Sequence, residues 1–139
     1  LFNNPYALVQ NCTIAGNTGY VGGGLYRLTA GLMENTIIYD NSASSANSNW
    51  YASGSGFFTN CCAAPTSAIF NAASTDLPPG YDANYRLLGG SPCINAGVNQ
   101  AWMDGVSDLD GRLRLDRLTG RVDMGAYEYV FPGTMFNVH

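Results

Sequence analysis

Residues 8–17 read LVQNCTIAGN and residues 32–41 read LMENTIIYDN. Set against each other with a shift of 24, Leu8 falls on Leu32, Asn11 on Asn35, Ile14 on Ile38 and Asn17 on Asn41. A weaker third copy, FFTNCC at 57–62, places Asn60 25 residues beyond Asn35. Each copy is a short β-prone run followed by Gly, Ser and Asn, as in Gly22-Gly23-Gly24 and the stretch 42–49. A run of about six such residues makes one strand. The repeat is too long for one hairpin arm and too rich in Gly and Asn for a helical hairpin. It suits one rung of a parallel β-solenoid, where each turn carries two or three short strands and stacks on the next. Asn11, Asn35 and Asn60 are expected to form a ladder of hydrogen-bonded side-chain amides. Asn17 and Asn41 are expected to stack at the next corner, where Asn tolerates left-handed backbone. The alternative is an antiparallel sandwich with chance repetition, and two matched Asn columns with matching aliphatics weigh against it.

Composition agrees with one small domain. The 139 residues are 46% hydrophobic and only 12% charged, about half the usual share of charge. The six basic residues, all arginine, are outnumbered by ten acids, for a net charge of −4. This argues against a nucleic-acid binder, which needs a basic stripe, and against a polybasic membrane-surface segment. No apolar run approaches the ~20 residues that span a bilayer. Plentiful aromatic and β-branched residues argue against disorder. The single histidine is the last residue, His139, which weakens any histidine-base or multi-histidine zinc mechanism. The chain starts Leu1-Phe2-Asn3-Asn4 and reads as the closed end of a longer solenoid, with an open N-terminal rung that more chain or another copy would cover. Cys12, Cys61, Cys62 and Cys93 form no CxxC pair. Few charges, much Asn, Ser and Gly, and pairable cysteines point to secretion.

After Cys62 the repeat fades. Residues 1–62 are expected to form the rungs, and residues 63–139 an irregular wrap and C-terminal cap of the same domain. Within the latter, 98–104 is expected to form a short helix and 122–129 a final strand. Four motifs follow in order: NYRL at 84–87, GSPCINAG at 90–97, DLDG at 108–111 with Arg112, and GRVDMGAYEY at 120–129. From about residue 7 to residue 129 the chain resembles the C-terminal part of secreted bacterial right-handed parallel β-helix proteins. These belong to the pectate-lyase-like superfamily, often related to polymorphic outer-membrane or anchor-bearing surface proteins. Asn84 and Asn95 depart from that pattern, which carries aspartate there. The resemblance implies an all-β, right-handed parallel β-helix of about three rungs plus the cap, and a secreted or cell-surface location.

The acids and arginines between Asp104 and Glu128 admit two readings. Asp108 and Asp110, followed by Gly111, match positions 3, 5 and 6 of a calcium loop, but Val106 and Arg117 fall where two further ligands are needed. The favoured reading is an ion-paired cap over the last rung, with Arg112, Arg121 and Asp123 among its members. Glu34 and Asp40 are the only acids on the repeat strands or their ends. Fully extended, they lie roughly 20 Å apart, too far for a glycosidase pair at ~5 to 9.5 Å. Cys62 with Cys93 is the best disulfide pairing, Cys61 having nearly equal claim, and Cys12 reads as an inward-facing hydrophobe. Among the aromatics, Trp50, Tyr51, Tyr39 and Tyr26 are candidates for stacking on sugar rings, ordinary core packing being the alternative.

The expected function is therefore a non-catalytic extracellular β-helix module, a scaffold that also binds polysaccharide, with no cofactor and no nucleic-acid or membrane partner. The alternatives are a fragment of a polysaccharide lyase or glycoside hydrolase, with catalytic residues unidentified, and a self-assembling module stacking through its open N-terminal rung.

Overall fold

The computed structural model describes residues 7–28, 30–54 and 57–133; His139 lies outside them. It is all-β, with no α-helix among the described residues. A first layer holds β1 (Ala7–Gln10), β2 (Thr13–Ile14), β3 (Thr18–Val21) and β4 (Leu25–Leu28). A second holds β5 (Gly31–Glu34), β6 (Ile37–Ile38), β7 (Ser42–Ala46) and β8 (Trp50–Ala52), and a third holds β9 (Phe57–Thr59) and β10 (Cys62–Ala63). Four sheets run across the layers, β1-β5-β9, β2-β6-β10, β3-β7 and β4-β8, and every pairing is parallel. The register is the one the repeat predicts, with Leu8 on Leu32 and Ile14 on Ile38.

One departure from the 24-residue shift matters. Thr18 pairs with Ser42, but Val21 pairs with Ala46, and an irregularity between Gly19 and Val21 absorbs the extra residue. Such a bulge changes which side chains meet across a sheet. Leu25 therefore pairs with Trp50 and Tyr26 with Tyr51, whereas an unbroken shift would have set Tyr26 against Trp50.

Both faces of the β2-β6-β10 sheet are covered, and Ile37 and Ile38 are both fully buried, as expected of a parallel sheet. On the inner side, Leu25, Met33, Ile38, Phe58, Cys61 and Ala63 form the main core, with Trp50 and Phe70 packed against it. On the outer side, Ile37 and Cys62 meet Leu87, Cys93 and Met124 from the C-terminal half.

The C-terminal half is irregular, but it does not lie over the end of the stack as expected. The third layer is closed by residues 69–75, where Phe70 bridges Phe58 and Thr75 bridges Cys62. Residues 93–129 instead run along the flank, beside the asparagine corner. Asn60 donates to the Ala96 carbonyl at 2.8 Å, the Asn35 carbonyl accepts from Gly125 N at 2.7 Å, and Ala126 N reaches Thr13 Oγ1 at 3.1 Å. The physical reason is that ladder amides and corner carbonyls form a polar seam down the side, which demands partners where apolar layer ends do not. The expected strand at 122–129 is irregular, and the expected helix at 98–104 shrinks to one 3-10 turn at Ala101–Met103.

Tight corners set the spacing between layers. A Cβ on Gly23 would stand 2.1 Å from the Ser42 carbonyl oxygen and 2.7 Å from that of Ser48. Gly23→Ala is expected to cost about 1–3 kcal/mol by forcing the backbones apart, read as a lower urea midpoint. An unchanged midpoint would show that the corner yields freely.

Candidate functional site

Asn11, Asn35 and Asn60 adopt left-handed backbone, with φ of 47°, 49° and 50°. At each position the chain turns a corner and the side-chain amide turns toward the seam. Asn35 Nδ2 donates to Asn11 Oδ1 at 3.3 Å. The step from Asn35 to Asn60 is not a direct amide contact. The Val98 N–H donates to Asn35 Oδ1 at 2.7 Å and the Val98 carbonyl accepts from Asn35 Nδ2 at 2.9 Å. The ladder gains an unforeseen fourth member, Asn71, whose Nδ2 donates to Asn60 Oδ1 at 3.1 Å. The Asn17–Asn41 stack forms as expected, Asn17 Nδ2 donating to Asn41 Oδ1 at 3.0 Å. Its left-handed residues are the preceding Gly16 and Asp40, however. The capping amides accept and donate at the corner while their neighbours supply the turn.

Of the four aromatic candidates, two meet on the surface. Tyr26 and Tyr51 stack with centroids 5.8 Å apart and planes 24° apart, and Tyr26 is 45% exposed. Strand alternation sends their neighbours Leu25 and Trp50 inward. Trp50 lies 5.4 Å from Phe58 and 5.2 Å from Phe70, and its Nε1–H donates to the Pro65 carbonyl at 2.8 Å. It is a packing residue, a correction forced by the extra residue of the second layer between Ala43 and Ala46. Tyr39, just past the end of β6, packs beside Ile37 and Cys62 and donates to the Asp76 carbonyl at 3.1 Å, away from the tyrosine pair. Tyr20, on β3, is 75% exposed. A cavity of about 470 Å³ runs beside Tyr26, lined by Val9, Val21, Leu25, Met33 and the glycines 22–24. That volume falls in the range of small-molecule sites.

A second aromatic group was missed in the sequence. Tyr81 and Tyr85 meet edge to face at 5.4 Å, and the Tyr81 hydroxyl donates to Asp40 Oδ2 at 2.8 Å. Burial, then that bond, pushes the Tyr81 phenol above its usual range. Only the irregular path of 81–85 back to the second layer makes the group, so no local signal marked it.

The acids suggested for chemistry are occupied elsewhere. Glu34 is almost buried and accepts from Gln10 Nε2 at 2.6 Å and Gln100 Nε2 at 3.2 Å. Asp40 is exposed beyond the next corner, held by Tyr81. The pair is not brought to one hydrolytic groove. Asp108 Oδ1 accepts the Asp110 and Arg112 N–H groups at 2.8 Å each, and Oδ2 accepts Glu128 N at 2.8 Å. Asp110 is held by the fork of Arg86, at 2.7 and 2.8 Å. That guanidinium keeps the Asp110 carboxyl below its usual range. Both carboxylates offered as calcium ligands are thus committed to N–H donors, and no group of three ligating side chains gathers among the described residues.

The most buried charges lie in the flank segment. Arg114 Nη1 donates to Glu128 Oε1 at 3.1 Å and to the Gly125 carbonyl at 3.3 Å. Glu128 Oε2 accepts Asp123 N at 2.9 Å. Asp123 accepts from Asn95 N at 2.6 Å and Tyr129 N at 2.5 Å. Desolvation pushes Glu128 up to about 8 and raises Asp123 as well. Arg112 donates to the Glu128 carbonyl at 3.1 Å, while Arg121 is exposed. Of the members expected, Arg112 lies 4.0 Å from Asp110, while neither Arg121 nor Asp123 forms an ion pair among the described residues, and the pair that is buried, Arg114 with Glu128, belongs to the flank.

Cys61, Cys62 and Cys93 are buried and Cys12 is partly exposed. Cys12 donates to the Gln10 carbonyl and Cys61 to that of Met33. Burial pushes the Cys61 thiol up to about 12. The Cys62 and Cys93 thiols engage each other, which raises the first and lowers the second.

No family model, curated protein or solved structure matches the chain.

Proposed function

We propose that the chain is a right-handed parallel β-helix module, secreted or displayed at a cell surface, that acts as a non-catalytic scaffold and binds polysaccharide on its tyrosine face. The parallel layers recurring every 24 to 25 residues support the architecture. The GSPCINAG and GRVDMGAYEY motifs support the location through the family they resemble. The observation that carries the binding role is the Tyr26–Tyr51 stack, aligned across two layers beside a polar-edged cavity. The C–H faces of a sugar ring suit an aromatic surface, and the polar side chains Asn17 and Thr18, which also line the cavity, supply hydrogen-bond partners for hydroxyls.

Affinity electrophoresis through gels containing pectin, xylan, β-glucan or alginate tests this. The wild type is expected to be retarded by at least one of them. The double variant Tyr26→Ala/Tyr51→Ala should bind at least about tenfold more weakly, a loss of roughly 1.4 kcal/mol of stacking. Leu118→Ala, on the exposed flank, should bind as the wild type does. Equal retardation of the double variant would remove the tyrosine face from the reading. Release of new reducing or unsaturated ends would overturn the non-catalytic assignment.

A further inference from the structure

We propose that Cys62 and Cys93 close a disulfide that fastens the C-terminal flank to the third layer. Cys62 sits on β10, its N–H bonded to the Thr36 carbonyl at 3.0 Å. Cys93 belongs to the flank, where its carbonyl accepts from Met124 N at 3.0 Å. Both residues are fully buried in one apolar cluster with Ile37 and Met124. That shared cluster spans the boundary between layers and flank, while Cys61 belongs to the other cluster, on the inner side. The Cys62 thiol donates to the Leu77 carbonyl at 3.3 Å, whereas the other two sulfurs are turned to carbonyls of the layers, Cys12 to Gln10 and Cys61 to Met33 and Thr59. Cys61 and Cys62 are adjacent on an extended chain, so their side chains take opposite faces. Only Cys62 takes the face that the flank covers.

The bond forms by exchange with a disulfide oxidant such as oxidised glutathione. One cysteine thiolate attacks the oxidant and releases one of its thiolates, leaving a mixed disulfide. The second cysteine thiolate then attacks the protein sulfur of that mixed disulfide and expels the other half of the oxidant. Two thiol protons leave the protein, its two sulfurs are oxidised, and the oxidant is reduced to two thiols. Because both side chains are buried once the flank is docked, the exchange belongs to folding, before the flank closes over β10. The bridge then joins a segment without regular secondary structure to the sheets. This assignment is independent of the polysaccharide reading.

Refolding the full chain in glutathione buffer, then alkylating and mapping it without reduction, tests the bridge. The expected product lacks two hydrogen atoms and yields one cross-linked peptide pair containing Cys93 and the 61–62 sequence, with Cys12 fully alkylated. Cys61→Ala should keep that cross-link, and Cys62→Ala should lose it. Reductant should lower the wild-type melting temperature by about 5–10 °C and leave that of Cys62→Ala unchanged. Four alkylated cysteines in the refolded wild type would overturn the proposal, as would a Cys93 cross-link lost in Cys61→Ala. Should Cys62→Ala fail to fold, the maps of the wild type and Cys61→Ala decide.

Discussion

Replacing Asn35 with alanine is expected to lower the unfolding free energy by about 3–5 kcal/mol. The side chain is fully buried and serves both arms of the structure at once. It bonds to Asn11 in the first layer and to both backbone groups of Val98 in the flank. Truncation leaves the partly buried Val98 N–H and carbonyl without these partners, and an unpaired group that stays out of water costs about 1–3 kcal/mol. Alanine at φ of 49° adds left-handed strain. Asn35→Gly separates the contributions, since glycine relieves the strain but restores no hydrogen bond. It should recover only about 1 kcal/mol. Asn17→Ala, at an exposed member of the other stack, should cost about 1 kcal/mol or less. Urea unfolding and hydrogen exchange at the Val98 amide read the effect. A loss at Asn35 no larger than at Asn17 would show that the flank does not depend on the ladder.

Arg114→Met is expected to be more damaging at pH 9 than at pH 5, by about 1 kcal/mol. Glu128, desolvated beside Arg114, has its folded value pushed from 4.5 to about 8. A carboxyl raised in this way holds a proton in the folded state that the unfolded chain has released. Its contribution is present at low pH and is lost as pH rises from about 4.5 to about 8, at no more than roughly 1.4 kcal/mol per pH unit. Asp123 shifts in the same direction. Wild-type stability should therefore fall by a few kcal/mol across that window. Methionine keeps much of the arginine's apolar volume but removes the cation that favours ionised Glu128, so the carboxyl keeps its proton to higher pH and the extra loss at pH 9, one unit above its value of about 8, is at most roughly 1.4 kcal/mol. At pH 5 the protonated carboxyl needs no cation, and the cost should shrink to that of the bond to the Gly125 carbonyl, about 1 kcal/mol. Denaturation at the two pH values checks both statements. Equal losses at pH 5 and pH 9, or a pH-independent wild type, would refute the assignment.

Particular residues show where the sequence was readable. The pairs Leu8 with Leu32 and Ile14 with Ile38 were legible because parallel in-register strands repeat the same environment at the same spacing, so like residues recur. Asn35 was legible as a ladder member for the same reason. Its bonds to Val98 were not, since a partner 63 residues away in an irregular segment leaves no periodic trace. Trp50 was misjudged because its Ser, Asn and Gly neighbours suggested exposure. One extra residue in the second layer moved it to the inner face and moved Tyr51 against Tyr26. The bond from Tyr81 to Asp40, 41 residues away, was hidden for the reason that hid Val98.

The sequence by itself determined an all-β chain of parallel strands, the register of its first two sheets, and the positions of the asparagine corners. These follow from short-range periodicity, which each layer imposes on the next. Tertiary structure alone decided that the charged C-terminal half lies along the flank and that Glu128 is buried against Arg114. Those outcomes depend on where an aperiodic segment finds unpaired amides and uncovered apolar surface, and both exist only after the layers have stacked.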